Sequence, residues 1–107
     1  MAYYMLQVAY TAEACAALVK NPQNRIEAVR PAVERLGGKI EGAWFAFGEY
    51  DVVLITQFPD NVSAAALALA AAAGGALKAQ KTTPLLTAQE AVEAMRKAGG
   101  SGYQPPR

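Results

Sequence analysis

The chain contains no histidine and a single cysteine, Cys15. The first absence removes the commonest general base and the commonest transition-metal ligand. Acid–base chemistry would then fall to Asp, Glu, Lys or Tyr. The second absence excludes an intrachain disulfide. Cys15 has no histidine or basic pair beside it in sequence to activate a thiolate, so it reads as a small buried residue rather than a nucleophile. No acidic cluster has metal-ligand spacing, and no metal or cofactor is expected. Gly37-Gly38 and Gly74-Gly75 lack the P-loop and dinucleotide patterns and read as helix stops.

Charge of one sign is also scarce. Ten Lys and Arg face nine Asp and Glu, a net charge of +1. The cations are scattered, whereas a nucleic-acid surface needs a basic stripe. Lys20, Arg25, Arg30 and Arg35 read as a solvated helix face. The longest apolar run, Ala64 to Ala73, is about half of the roughly 20 residues that span a bilayer. The opening Met1-Ala2-Tyr3-Tyr4-Met5 lacks the basic region of a signal peptide. The expectation is a cytoplasmic protein without nucleic-acid or membrane partners.

What the chain has in quantity is hydrophobic residues, 53% of 107, many of them alanine. This length makes one domain, which gains from covering surface by self-association. Tyr3 to Tyr10 reads as a strand. Tyr4, Leu6, Val8 and Tyr10 share one face, and Tyr3, Met5, Gln7 and Ala9 the other. Both faces are largely apolar, so the strand is expected to be covered on both sides. Thr11 caps a helix, and Asn21-Pro22 restarts it. Ile26, Val29, Val33 and Leu36 form its apolar stripe, Pro31 is expected to kink it, and Gly37-Gly38 ends it.

Two strands follow, Lys39 to Ala46 and Val52 to Phe58, joined at Phe47-Gly48-Glu49-Tyr50-Asp51. The link reads as a hairpin turn in which Gly48 takes positive φ. Simple alternation puts Ile40, Gly42, Trp44 and Ala46 on one face. Asp60 or Asn61 caps an alanine-rich helix, Val62 to about Ala73, whose anchors are Val62, Leu67 and Leu69. Its alanines permit close packing on a sheet. Ala76 to Thr83 reads as an edge strand guarded by lysines and ended by Pro84. Thr87-Ala88-Gln89-Glu90 is a capping box that opens a terminal helix with Ala91, Val92 and Met95 as its apolar positions.

The order is βαββαβ plus a helix, an α+β ferredoxin-like sandwich over residues 1–98 with a flexible tail over 99–107. Helices cover one sheet face. The other carries apolar groups from every strand, so two sheets are expected to pack face to face in a homo-oligomer, with a small cavity between them.

Gly48, Tyr50 and Asp51, with Glu49 between, resemble the signature of the GYD domain family. The likeness extends to Tyr10-Thr11, Leu36-Gly37-Gly38-Lys39, Val52-Val53-Leu54-Ile55 and the alanine-rich helix, most of residues 3 to 95. It implies a dimeric α+β barrel and no settled reaction.

Five residues are candidates for ligand contact. Tyr50 and Asp51 offer a phenol and a carboxylate at a cavity mouth. The simpler reading has Tyr50 packing across strands and Asp51 bonding to backbone donors. Trp44 either stacks on a ligand or fills the core, and the core is the simpler place. Gln7 and Lys78 are polar on apolar strands, as are Thr56, Gln57 and Gln80. They line a polar spot if they converge on the open sheet face, which a bulge would prevent. Three functions fit: a small-metabolite binding module, a cofactor-free α+β-barrel enzyme of monooxygenase or isomerase type, and a structural interaction protein.

Overall fold

Strand β1 (Ala2–Tyr10) runs through the middle of the molecule. In this computed structural model, which describes residues 1–106, a four-stranded sheet has the order β2-β3-β1-β4 with every neighbouring pair antiparallel. Arg107, the last residue of the expected tail, lies outside the described residues. The other strands are β2 (Lys39–Phe45), β3 (Val52–Phe58) and β4 (Leu77–Leu85). The helices are α1 (Ala12–Lys20), α2 (Arg25–Arg35), α3 (Asn61–Ala73) and α4 (Ala88–Gly99). Order and pairing are those of the ferredoxin-like sandwich.

Local chemistry sets the helix ends. The Thr11 hydroxyl accepts from Ala14 N, and the Asp60 carboxylate accepts from Ser63 N. The α2 cap is Asn24, not Asn21, because the Asn24 side chain reaches the free N–H groups of Ile26 and Glu27. Pro22 therefore lies between the helices. At the far end of α2, Gly37 N donates to Glu34 O and Gly38 N to Val33 O, with Gly37 at φ +82°. This is a Schellman stop, and its left-handed residue favours glycine. Thr87 and Glu90 make both bonds of the capping box that opens α4.

The core lies between the sheet and the helices α2 and α3. Tyr4, Leu6, Leu54 and Phe58 from the sheet meet Val33, Ala64 and Leu67 from the helices. Tyr4 and Phe58 meet edge to face at 5.9 Å, and the Tyr4 hydroxyl donates to Asn61 Oδ1 at 2.5 Å. Of the expected α3 anchors only Leu67 is buried; Val62 and Leu69 face solvent. The face of α3 that meets the sheet is instead made by Ala64 and Leu67, which are three residues apart on one side of the helix.

Cys15, expected to be buried, is exposed on α1, and three further expectations need correction. Gly48 does not have positive φ, and its surroundings are open. The β2–β3 connection is a wider loop closed by Ala46 N donating to Asp51 O at 2.8 Å, so no tight turn constrains Gly48. Pro84 lies inside β4, where it pairs with Tyr4. An edge strand tolerates it because an N–H turned away from the neighbouring strand is not needed. Finally, β2 and β4 each carry a bulge, at Glu41 and at Lys78. The first brings Ile40, Ala43 and Phe45 to the helix side, opposite Thr56, Leu54 and Val52. It leaves Gly42 and Trp44 on the open side, opposite Ile55 and Val53. The second puts Leu77 opposite Tyr10 on the helix side, while Ala79 and Lys81 face the open side.

The radius of gyration is 17.0 Å and the longest extent 57 Å. A compact chain of this length has a radius of about 13 Å. No residue of α4 is buried in its own chain.

Candidate functional site

Where α2 begins and α3 ends, the helix layer opens. A half-open cleft of about 360 Å³ remains between the two helices and the sheet. Leu6, Val8, Val52 and Leu54 form its floor. Ile26, Val29 and Ala32 wall one side; Leu67, Ala68 and Ala71 wall the other. At the opposite end of the same layer Val33, Thr56 and Phe58 are fully buried, so packing closes one end and leaves the other open. The alanines explain the difference. Ala28 and Ala32 stand one turn apart on α2, and Ala68 and Ala71 three apart on α3, and all four line the cleft. Two faces of small side chains do not fill the space that larger residues elsewhere hold open.

Polar groups gather at the open end. Tyr10 closes β1, Arg25 is the first residue of α2, and Gln80 stands on the helix side of β4. Burial pushes the Tyr10 phenol above its ordinary value, against the opposing pull of the nearby Arg25 guanidinium. The phenol is therefore a neutral donor at physiological pH. The Gln80 amide is held by donating to Ala68 O at 2.9 Å. Arg25, read from sequence as part of a solvated face, is half-buried and lines the cleft. Sequence reading did not find this site. Its available signal was the pair of alanine stripes on α2 and α3 flanking a start-of-helix arginine.

The signature loop rims the same end. Asp51 Oδ2 accepts the backbone N–H of Tyr10 at 2.9 Å, and Asp51 N donates to Val8 O at 2.7 Å. Asp51 thus splices the loop to the end of β1, where β1 and β3 diverge. Tyr50, beside it, is half-buried.

The remaining expected residues lie elsewhere. Gln7 is on the open sheet face, in a row that runs Trp44, Val53, Gln7, Lys81 across the strands. Trp44 is not in the core of this chain: its indole is 59% exposed and lies over Gly42, where a Cβ would come within 2.7 Å of the ring. Lys78 sits on the β4 bulge, outside that row, and Lys81 takes the register position beside Gln7. Thr56 is buried on the helix side, and Gln57 is on the open side donating to Glu41. The open face therefore brings Gln7 and Trp44 into one row, and it does not bring Lys78, Tyr50 or Asp51 to them. Among the described residues no group of Cys, Asp and Glu is arranged to hold a metal ion, and no helix is long and apolar enough to cross a membrane.

The profile of the GYD domain matches residues 4–95, from β1 into α4. The chain belongs to the GYD domain family. Among solved structures, this GYD domain is similar to MtbAldR, with a TM-score of 0.54 and 16% identity over 80% of this chain and 52% of that one. It thus spans about half the length of MtbAldR, and at that identity the likeness is one of fold. It is also similar to an uncharacterized NIPSNAP domain protein from Burkholderia xenovorans, with a TM-score of 0.49 and 18% identity over 82% of this chain and 95% of the other. No curated protein matches the GYD domain described here.

Proposed function

We propose that this GYD domain binds a small, largely apolar molecule in the cleft between α2, α3 and the sheet, and that it works as a homodimer. The observation that carries the binding reading is the cleft itself. Its volume of about 360 Å³ falls within the range of roughly 300–1,000 Å³ usual for small-molecule sites. Its walls are aliphatic, and its few polar groups converge at one end. An apolar hollow lacks partner atoms on one side, and an apolar guest restores those contacts. The sequence placed a cavity between two sheet faces; the helix side is where one chain already offers the room.

The dimer reading rests on the opposite surface. Tyr3, Met5, Val53, Ile55, Trp44 and Leu85 share the open sheet face by register. Its charges are few, and Lys39 and Glu41 neutralise each other at 3.2 Å. A face of this kind pairs with its own copy without needing opposite charge on a partner. The unburied stripe of Val92 and Met95 on α4 adds apolar surface that association would cover. We take the protein to act in the cytoplasm, where a free exposed thiol such as Cys15 persists.

The test is native mass spectrometry of the protein purified from its own source. A dimer carrying a discrete added mass is the expected result. A monomer would overturn the dimer reading. A protein that took up no apolar compound even after titration with a panel of small ones would overturn the binding reading.

A further inference from the structure

We propose that the cleft recognises an apolar molecule bearing a single carboxylate, with the carboxylate held by Arg25 and the hydrocarbon body between α2 and α3. This rests on the binding reading above and adds the ligand's chemical class. Among the residues that line the cleft, Arg25 is the one that carries a charge. Arg25 is half-buried as a residue, and among the described residues no carboxylate pairs with it. Among the described residues the ion pairs are Arg30 with Glu27, Lys39 with Glu41 and Arg96 with Glu93. Arg25 donates from Nη1 to the neutral Gln23 Oε1 at 2.9 Å, and its neighbour at the cleft, the Tyr10 phenol, is neutral as well.

The nearby acids are otherwise engaged. Asp51, which faces the same end and is felt by Tyr10, is bonded to the Tyr10 backbone N–H. Glu27, two residues along α2, holds Arg30 through both of its oxygens, at 3.1 and 3.3 Å. A cation partly withdrawn from water next to an apolar hollow favours an anionic guest, and the planar guanidinium fork matches a carboxylate in two-point fashion. The Tyr10 hydroxyl is a neutral donor on the same side and suits an anionic acceptor. The positive end of the α2 dipole acts in the same direction. One cation with no second beside it suits a singly charged head better than a doubly charged phosphate.

The head and the body are tested separately with octanoate and 1-octanol, which share a chain length and differ in charge. Isothermal titration calorimetry of the full chain is expected to show octanoate binding at least about tenfold more tightly than octanol. Arg25→Gln should bring octanoate down to the octanol level and leave octanol unchanged. Arg25→Lys, which keeps the charge and loses the fork, should fall between. Ala68→Phe, which fills the cleft, should abolish both. Equal binding of the two probes to the unaltered protein would overturn the carboxylate proposal and leave the apolar site standing. The same conclusion follows if Arg25→Gln leaves octanoate affinity unchanged. Octanoate binding that survives Ala68→Phe would place the head site elsewhere and overturn the proposal as well. Failure of both probes to bind would remove the cleft reading together with it.

Discussion

The carboxylate of Asp51 accepts the backbone N–H of Tyr10 across 41 positions of sequence, at 2.9 Å. With Asp51 N donating to Val8 O, it completes the strand pairing where β1 and β3 part. The most recognisable residue of the signature is thus a splice between a loop and the central strand. Asp51→Ala is expected to leave the Tyr10 N–H unpaired in a half-buried place and to cost about 2 kcal/mol, since hydrogen bonds to charged groups contribute about 1.5–3 kcal/mol. Asp51→Asn keeps an acceptor oxygen and should cost about 1 kcal/mol or less. Urea denaturation of the two variants checks this. Equal and small losses in both would show that the bond does not hold the loop.

Gly38 is required for a different reason than Gly37. A Cβ at Gly38 would lie 2.5 Å from Gln57 O and 2.6 Å from the Phe58 ring, so strand backbone and core both stand in its way. Gly38→Ala is expected to destabilise by about 1–3 kcal/mol, the usual cost of overpacking. Gly48→Ala is the control. It has ordinary φ and open surroundings, so its effect should stay within about 0.5 kcal/mol. A thermal melt in which Gly48→Ala is the more damaging change would restore the tight-turn reading of the loop.

These two glycines show which parts of the fold are legible in sequence. A helix stop, a capping box or an N-cap is a local pattern, and Gly37-Gly38, Thr87 with Glu90 and Asp60 act as their neighbours suggest. The face assignments of β1 follow from alternation because that strand has regular register with β3. Alternation fails in β2 and β4, where Glu41 and Lys78 are extra residues that nothing local marks. Each bulge flips the faces beyond it, which is why Ile40 leaves Trp44's face and Leu77 leaves Ala79's; Lys78 misses Gln7's row because Gln7 pairs with Lys81. The cleft was hidden for a related reason. Alanines permit close approach, but whether two alanine faces close or leave a gap depends on the larger residues that space the helices, here Val33 and Leu67.

The caps also set a pH dependence. Asp60 accepts from Ser63 N, and this bond holds its carboxyl below the ordinary 3.8. A group whose folded value is depressed adds stability above its unfolded value and loses it as pH falls through the folded one. Asp60→Asn keeps an acceptor at the cap and removes the titration. The melting temperature of the unaltered protein should therefore fall relative to Asp60→Asn as pH drops from about 5 to about 2. Glu41, held low by Lys39 and Gln57, titrates in the same region in both proteins and cancels in the comparison. At the alkaline end, burial raises the Tyr10 phenol above 10.0. Its contribution is whole below that value and is lost as pH rises through the folded one. Tyr10→Phe should flatten this alkaline loss; parallel curves for the two proteins would remove Tyr10 as its source.

The open sheet face and α4 can be tested separately for a part in the proposed association. Ile55 lies at the centre of that face, between Gly42 and Met5, and its side chain has no role in the helix-side core. Ile55→Glu therefore puts a charge where a second sheet would pack, while the chain's own core is untouched. Burying that charge unpaired costs several kcal/mol, so the proposed dimer should dissociate to monomer in sedimentation experiments at micromolar concentration. Deleting residues 87–107 removes α4, which has no buried residue and whose length of about 12 residues is marginal for an isolated helix. The remaining domain should keep its fold. If α4 packs on the partner, the truncated protein should dissociate more readily than the full chain. If its stability and self-association both match the full chain, α4 takes no part in the dimer. A monomeric full-length chain would mean that the apolar face, with Trp44 at its margin, serves another purpose.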